Sequence, residues 1–233
     1  MVNFMFKLDK YYIEKELDKF DKYGYTGFLN ELEYNHIKNI LNKRHIKYDT
    51  YRSFLYADRI IIYNTLPEVT CFKIITNNPL KHSDIMGSLY NFNIDEDIIG
   101  DIIVDNNNYY FIVLSRMEEY IKNNFNKIGK YNVELQIVDI PIKERSFKEL
   151  EYIVSSNRID TVISRIINTN RKYIDDLISN KDIILNYNIL TNKSYLLKED
   201  DIFSIRKYGK YRYVGIKKTT KKDNIVITLQ KYN

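Results

Sequence analysis

In the first 67 residues, apolar side chains recur every three or four positions along two stretches. This spacing predicts helices over Lys7–Lys22 and Leu29–Lys43, because it places the apolar residues on one face of each helix. Asn30 is the predicted N-cap of the second helix, and Glu33 stands where a capping box needs its acidic partner. An apolar run at residues 60–63 predicts a short buried strand. A small domain of mixed helix and strand is therefore expected.

The next segment alternates between strand patterns and helix patterns. Strands are predicted at residues 69–76, 101–104, 109–114 and 133–140, and helices at residues 83–92 and 117–128. Ser83 is the expected cap of the first helix, and Gly129 stands where the second helix would stop. The order β-α-β-β-α-β is that of the ferredoxin-like fold. Tyr109, Tyr110 and Phe111 are a weak substitute for the aromatic signature of RNA-recognition domains, and half-buried strand residues are the alternative interpretation.

From Val154 onward, the pattern predicts two short amphipathic helices followed by a small sheet and a basic hairpin. The charged stretch 141–152 predicts a linker. The predicted domains are an N-terminal α+β domain (1–67), a ferredoxin-like, RNA-recognition-like domain (68–142), a third domain (152–222), and a C-terminal strand or tail (223–233). The predicted class is a multi-domain α+β protein.

Charge is distributed unevenly along the 233 residues. The formal net charge is +5, but residues 155–233 hold 16 basic and 8 acidic residues, whereas residues 1–154 hold 20 and 23. The segment 206–222 contains eight basic residues, no acidic residue and three tyrosines. Basic side chains attract phosphates and aromatic rings stack on bases, so this asymmetry predicts a polyanionic partner such as RNA.

Several residues between Arg158 and Asp201 follow a known order. The order is Arg-Leu-Asp, then Ser-Arg opening a second helix, then Leu-Ile, a Val-x-Val-Asn-Gly turn, and Gly-Asp before a final strand. The matching residues are Arg158, Asp160, Arg171, Leu177, Ile178, Asn186 and Asp201, with Ile159 and Ile183 as conservative replacements. Asn170 replaces the usual Ser and can cap a helix, whereas Lys181 and Tyr187 stand where Gly is usual. This segment resembles the RNA-binding module named for small-subunit ribosomal protein four, and the resemblance implies an S-four-type domain over residues 152–222.

The chemistry of these side chains supports RNA binding independently. Arg158, Arg171 and Lys172 can share one face of the two helices, and the helix that starts near Asn170 offers free amide groups to a phosphate. Asp160 is expected to orient an arginine or to cap a helix, and Tyr213 is expected in the core. The predicted RNA-binding residues are Arg158, Asn170, Arg171, Lys172, Lys181, Asn186, Arg206, Lys207, Lys210, Tyr211, Arg212, Lys217, Lys218, Lys221 and Lys222. A solvated surface charge is the alternative for any single basic residue.

Upstream blocks carry a second resemblance. Residues 82–89 are similar to a His-x-Asp-x-Leu-Gly block, and residues 94–102 to an Ile-x-x-x-x-Ile-Gly-Asp-Ile block, with Lys-Ile-Gly at 127–129. These blocks resemble the YlmH family of RNA-binding proteins, encoded in the cell-division gene cluster of Gram-positive bacteria. The resemblance implies a central domain and a C-terminal module that bind ribosomal RNA and transfer RNA on the large ribosomal subunit. It also implies a role in ribosome-associated quality control, in the rescue of stalled subunits.

The remaining residues singled out in these blocks are expected to be structural. They are His82, Asp84, Gly87, Gly100 and Asp101. A His-x-Asp at a helix start is typical of a cap and a packed core histidine, and Gly100 is predicted to serve a tight turn.

An enzyme and an adaptor protein are the two alternatives to an RNA-binding protein. An enzyme is the first, but we recognise no Gly-rich cofactor loop, P-loop or Ser/His/Asp set, so we predict no catalytic residue, cofactor or small-molecule substrate. The second is an adaptor protein that acts in cell division, with the acidic first two domains holding a protein partner. Steep loss of binding with salt would favour RNA over such an adaptor.

Cysteine usage and hydropathy indicate the compartment. Cys71 is the single cysteine, so no intramolecular disulfide can form, and the three histidines do not fall at metal-ligand spacings. The first 20 residues lack the apolar core of a signal peptide, and no apolar run approaches the length of about 18 residues that spans a membrane. A cytoplasmic protein without a metal site and without membrane contact is expected.

Overall fold

The computed structural model describes residues 9–54, 57–105, 107–141 and 147–232. The chain forms two compact units, an N-terminal unit built from residues 8–144 and a C-terminal unit that includes residues 145–233. Both units combine helices with antiparallel sheets, so the α+β class predicted from the sequence is confirmed. Within the described ranges, no helix is long and apolar enough to cross a membrane.

The N-terminal unit contains four helices and eight strands among its described residues. The helices are α1 (Lys10–Tyr23), α2 (Glu31–Lys43), α3 (His82–Asn91) and α4 (Glu118–Asn124). The strands are β1 (Asp49–Tyr51), β2 (Ile61–Tyr63), β3 (Val69–Ile75), β4 (Ile99–Asp105), β5 (Asn108–Leu114), β6 (Lys127–Ile128), β7 (Tyr131–Asn132) and β8 (Glu134–Val138). Strands β1 and β2 form one sheet, β6 and β7 a second, and the order β4-β5-β3-β8 a third.

Local capping fixes where the first two helices begin. The side chain of Asp9 accepts a hydrogen bond from the Tyr11 backbone at the start of α1, and Gly24 ends this helix in the left-handed region (φ 80°). Asn30 and Glu33 form the capping box predicted for α2, with the Asn30 nitrogen 2.8 Å from the Glu33 carboxylate. The apolar faces of both helices pack into one core formed by Ile13, Leu17, Phe20, Leu29, Ile37, Leu41 and Ile62.

Replacing Glu33 with glutamine is expected to remove a pH dependence of stability. Burial raises the pKa of the Glu33 carboxyl to about 7, although the Asn30 backbone N–H and Arg59 favour its charged form. The unfolded chain loses this proton near 4.5, so the stabilising contribution is fully present below that pH and is lost as the pH rises towards 7. Urea unfolding measures the free energy of unfolding at pH 4.5 and at pH 8. The difference between the two values should be smaller in Glu33→Gln than in the unaltered chain. The exposed control Glu14→Gln should leave it unchanged, and an equal change in both variants would contradict the assignment.

The third sheet is buried on both faces around its strands β3 and β5. The ring of Phe111 in β5 lies 5.2 Å from that of Phe72 in β3 and 5.5 Å from that of Phe125, the residue after α4. Alternate residues of a strand point to opposite faces, and the paired residues Cys71 and Ile112 are buried on the other face. Both faces of this sheet therefore contribute to the core around β3 and β5.

Helix α3 begins differently from the sequence-based prediction. Its flanking residue is Lys81, and Ser83 lies inside the helix, so the predicted Ser83 cap is wrong. The side chain of Asp84 accepts a hydrogen bond from the Lys81 nitrogen (2.8 Å), which satisfies the backbone at this end without a serine. His82 is exposed as the first residue of α3, so the prediction of a packed core histidine is also wrong.

Helix α4 is shorter than predicted. It ends at Asn124 because Phe125 turns into the core, where its side chain is 2% exposed. Residues 127–128 form strand β6 instead of a last helical turn, which buries Ile128. Gly129 therefore occupies the turn between β6 and β7 with a left-handed φ of 57°, and does not follow a helix as predicted.

Gly100 has a different role from the tight turn that was predicted. It lies within β4, and a Cβ added there would lie 2.8 Å from carbons of the Phe28 ring, which is fully buried. The close approach of this ring to the strand requires the absence of a side chain.

The C-terminal unit is one six-stranded sheet with two helices. Its strands are β9 (Phe147–Val154), β10 (Ile183–Leu185), β11 (Asn188–Ile189), β12 (Ile202–Ile205), β13 (Gly209–Thr219) and β14 (Ile225–Tyr232), and its helices are α5 (Ile159–Ile167) and α6 (Arg171–Ser179). The strand order is β11-β10-β12-β13-β14-β9. The linker predicted over 141–152 is wrong for residues 147–152, because they pair with β14 along the whole of β9. The predicted two helices and closing strands are present.

Candidate nucleic-acid interface

Arg158 stands directly before α5 with its side chain held in place. Its Nε and one terminal nitrogen donate to the two oxygens of Asp160, at 3.1 and 2.6 Å. The same carboxylate accepts from the Thr161 backbone (2.7 Å), so Asp160 both orients the arginine and satisfies the helix start. Burial alone would raise the pKa of Asp160, but the hydrogen bonds from Arg158 and Thr161 lower it below its usual range. The side chain of Arg158 remains 41% exposed, so it can still bind a phosphate.

The start of α6 is a second basic position. Asn170 caps the helix through a hydrogen bond from the Tyr173 nitrogen (3.0 Å), as the sequence indicated. Arg171 and Lys172 follow in the first turn, and both side chains are exposed. This turn therefore combines two cations with the positive end of the helix dipole.

The turn between β10 and β11 is locked by side-chain hydrogen bonds. The amide of Asn186 donates to the Asp201 carboxylate (2.7 Å) and accepts from the Ile202 nitrogen (2.9 Å). Asn186 and Tyr187 both have left-handed φ angles, 47° and 66°, so the turn keeps its geometry with tyrosine where glycine is usual. The structure gives Asn186 a positioning role in this turn. The second Asp201 oxygen accepts from the Lys198 nitrogen (2.8 Å).

Two lysines of the predicted site follow the same end of β10 and β12. The register pairs Ile183 with Ile205, which places Lys181 and Lys207 just beyond the same end of the two strands. Both residues adopt left-handed φ angles, 60° and 69°, which cost a non-glycine residue about 1 kcal/mol each. Between them and the strands, Arg206 donates to the Asp182 carboxylate (2.9 Å).

The tyrosines divide between the core and the surface. Tyr211 is 3% exposed and its ring stacks on Phe203 (5.5 Å), so the predicted RNA contact is replaced by a core role. Tyr213 is also buried, as predicted. Tyr173 and Tyr208 lie with their hydroxyls 3.4 Å apart. Tyr173 was not among the predicted RNA-binding residues, because helical spacing gives no signal for the exposure of a single tyrosine.

The cations along β13 are paired. Arg212 donates to the Asp200 carboxylate (2.9 Å) and to Gln230 (3.2 Å). Lys217 lies 2.5 Å from the Glu151 carboxylate, and the Lys210 ammonium lies 4.9 Å from the centre of the Tyr232 ring. In contrast, three lysines at the far end of the hairpin form no ion pair with any residue that the structure describes. They are Lys218, Lys221 and Lys222.

In the third sheet, one of the three candidate aromatic residues is accessible. Tyr109 is buried and its hydroxyl accepts from the Leu80 nitrogen, and Phe111 is fully buried. Tyr110 points to the opposite face and is partly exposed, with the Lys73 ammonium 5.9 Å from its ring centre. Tyr109 and Phe111 are therefore core residues, and the half-buried interpretation fits Tyr110.

Asp101 and Gly87 are the two other residues that were predicted to be structural. Asp101 is buried and accepts a hydrogen bond from the Asp58 nitrogen (2.9 Å). Gly87 is exposed on α3, and a Cβ added there would meet no heavy atom within 4 Å. Space therefore does not explain a glycine at position 87.

Comparison with known proteins gives three findings. A family model described as "Putative RNA-binding domain in YlmH" matches residues 72–142. The chain is 25% identical over 155 residues to "Ribosome-associated protein quality control protein P2" of Bacillus subtilis, a match that covers 65% of this chain and 60% of that protein. A solved structure, "Cell division protein ylmH from Streptococcus pneumoniae", has a TM-score of 0.45 at 17% identity, covering 59% of this chain and 96% of the other.

The family match falls on the described strands and helices from β3 to β8, the segment whose blocks carried the resemblance. The chain spans 60% of the length of the Bacillus subtilis relative. The match and the relative together confirm the resemblance predicted from the sequence: the chain is YlmH-like.

Proposed function

We propose that the chain is a non-catalytic, cytoplasmic RNA-binding protein that acts at the ribosome. In this proposal it binds ribosomal RNA and transfer RNA on the large subunit, in rescue or quality control of stalled subunits. The observation that carries the proposal is the match of residues 72–142 to the RNA-binding domain of YlmH. The name of the Bacillus subtilis relative, a ribosome-associated quality control protein, supports the ribosomal part.

The topology of both units supports two RNA-binding folds. The order β4-β5-β3-β8, with one helix after β3 and another after β5, is the arrangement expected of a ferredoxin-like domain. In the C-terminal unit, the helix pair α5 and α6 precedes strands β10 to β13, as in an S-four-type module. We therefore place the boundary between these proposed domains before β9, near residue 145.

The electrostatics of the C-terminal unit fit a phosphate backbone. Arg158 is oriented by a carboxylate yet partly exposed, and Arg171 and Lys172 stand at the capped start of α6. Guanidinium groups bind phosphate oxygens in pairs, and helix N-termini favour anions. The acidic partner of Arg158 is also satisfied by Thr161, so an incoming phosphate can compete for the arginine without leaving Asp160 bare.

Replacing Arg158 and Arg171 together with alanine is expected to weaken RNA binding without unfolding the protein. Each lost phosphate contact lowers the slope of log affinity against log salt by about 0.9, so the double variant should lose roughly 10- to 100-fold in affinity and about two units of slope. Fluorescence anisotropy with a structured ribosomal RNA fragment measures both quantities. The double variant Lys43→Ala/Arg44→Ala removes the same charge from α2 and should retain the affinity. Equal losses of RNA affinity in both double variants would show that the effect comes from net charge alone.

Cosedimentation of the tagged protein with ribosomal subunits, combined with crosslinking and RNA sequencing, tests the ribosomal part. Crosslinks concentrated on large-subunit ribosomal RNA and transfer RNA are the expected result. Scattered crosslinks, with the protein at the top of the gradient, would overturn the proposal in favour of a protein adaptor.

A further inference from the structure

The lysines of the C-terminal unit do not form one continuous stripe. The 11 residues of β13 join the lysine pair at one end of the sheet to the hairpin tip at the other. Along the strand, Arg212 and Lys217 are held by carboxylates. Pairing reduces the attraction that these two cations can offer a phosphate, so the attraction along β13 is concentrated at its two ends.

The first end is formed by Lys181 and Lys207. The pairing of Ile183 with Ile205 places the two lysine residues at the same end of β10 and β12. No carboxylate among the described residues lies within ion-pairing distance of either lysine, and both are exposed. Two adjacent cations in strained backbone positions are a binding point for an anion. The exposed hydroxyl pair of Tyr173 and Tyr208 can add hydrogen bonds.

The second end is the hairpin tip between β13 and β14. The last cross-strand pair is Thr219 with Ile225, and the Thr220 nitrogen donates to the Asn224 carbonyl to close the turn (2.7 Å). Lys218 and the two lysines of the turn lie at this tip, all of them exposed. Because the hairpin is closed by backbone hydrogen bonds, the tip presents its cations on a defined support.

A strand of this length sets the distance between the two ends. At about 3.3 Å per residue, the 11 residues of β13 separate the lysine pair from the hairpin tip by roughly 30 Å. This is close to one turn of a double helix, or on the order of ten base pairs. A stiff duplex can reach both ends at once, whereas a flexible single strand must be ordered over the same distance.

We propose that the C-terminal unit binds one RNA stem at two separate points, the lysine pair and the hairpin tip, and so selects stems long enough to reach both. The inference rests on the proposed RNA-binding function and names the class of RNA. Binding at two points makes the second contact intramolecular, so affinity rises steeply once the stem spans both ends.

The test compares two RNA hairpins with the same loop, with stems of about 20 and about 6 base pairs, for binding to the full chain. The unaltered chain is expected to prefer the long stem by roughly 100-fold. Two variants each remove one end, Lys181→Asn/Lys207→Asn and Lys218→Gln/Lys221→Gln/Lys222→Gln. Asparagine tolerates the left-handed φ, so the first variant should keep the fold. In each variant the preference should fall to within about threefold, because one contact point remains.

A matched control removes a paired charge between the two ends, Arg212→Gln/Asp200→Asn, and should keep the 100-fold preference. If the unaltered chain binds neither stem, the proposed function itself fails. If it binds the long stem and either end variant keeps the full preference, the two-point inference is overturned while RNA binding stands. An equal loss of preference in the control would also overturn it, because a continuous stripe would then explain the binding.

Discussion

Replacing Lys19 with alanine is expected to lower the free energy of unfolding by about 3–5 kcal/mol, because it leaves the buried Glu16 carboxylate without its cation and removes the nearest cation from Asp97. The Lys19 ammonium lies 2.5 Å from Glu16 and 2.5 Å from Asp97. The side chain of Glu16 is fully buried and that of Asp97 is 3% exposed. The other Glu16 oxygen accepts from the Gly27 nitrogen (2.6 Å), so this cluster ties α1 to the loop before α2 and to the residues before β4.

The pH dependence of this loss distinguishes a buried charge from lost packing. Burial alone would raise the pKa of Asp97, but Lys19, helped by Lys15, lowers it below its usual range. Burial already raises the pKa of Glu16 even with Lys19 present, and removing Lys19 should raise the pKa of Glu16 further and that of Asp97 as well, so the stability of the variant is greatest at low pH and is lost as the pH rises. The destabilisation measured by urea unfolding should therefore be smaller at pH 4 than at pH 7.

A control on the same helix separates burial from charge. Lys10 forms an ion pair with Glu14 at 3.7 Å, but its side chain is 92% exposed. Lys10→Ala should change the free energy of unfolding by less than about 0.5 kcal/mol. A Lys19→Ala variant as stable as Lys10→Ala would show that the cluster does not stabilise the unit.

Replacing Asp201 with asparagine is expected to destabilise the C-terminal unit by about 2–3 kcal/mol. Both carboxylate oxygens accept hydrogen bonds, one from the Asn186 amide (2.7 Å) and one from the Lys198 backbone (2.8 Å). An asparagine offers one acceptor oxygen and an NH2 group, so one of these two donors would face another donor. The side chain is buried, so water cannot readily satisfy the mismatched pair.

The neighbouring residue gives a control with the same substitution. Asp200 is 74% exposed and pairs with Arg212, and its φ of 70° is one that asparagine tolerates. Asp200→Asn should cost less than about 1 kcal/mol, since exposed ion pairs contribute little. Thermal unfolding of the two variants measures the contrast. Equal melting temperatures would show that the Asn186–Asp201 hydrogen bond does not hold the turn.

Periodicity and capping chemistry predicted most of the elements from local signals. The α2 capping box and the Asn170 cap need side chains only two or three residues away, so the sequence contains all the required information. The ends of α3 and α4 were predicted wrongly because tertiary contacts decide them. Phe125 leaves the helix to reach Phe111, which a local pattern cannot show.

The site residues also divide into those that local sequence predicts and those that depend on tertiary contacts. The basic character of the last third is visible in the composition, but whether a given cation is paired depends on distant acids such as Glu151, 66 positions before Lys217. Tyr211 and Tyr208 have the same local surroundings in the sequence, and the sheet register buries the first and leaves the second partly exposed. Likewise, the sequence suggested that Gly100 is a turn glycine. The structure shows instead that the ring of Phe28 leaves no room for a side chain at this position.

The pairing of β9 with β14 has a consequence for how the C-terminal unit is made. β9 is an edge strand, and its partner β14 lies roughly 70 residues later in the chain. During synthesis, the residues of β9 leave the ribosome well before those of β14 and must wait without their partner. The sheet can therefore be completed only after Ile225–Tyr232 have been synthesised, and a chain that stops before Ile225 would leave β9 without a partner and β13 as an edge strand with one side unpaired.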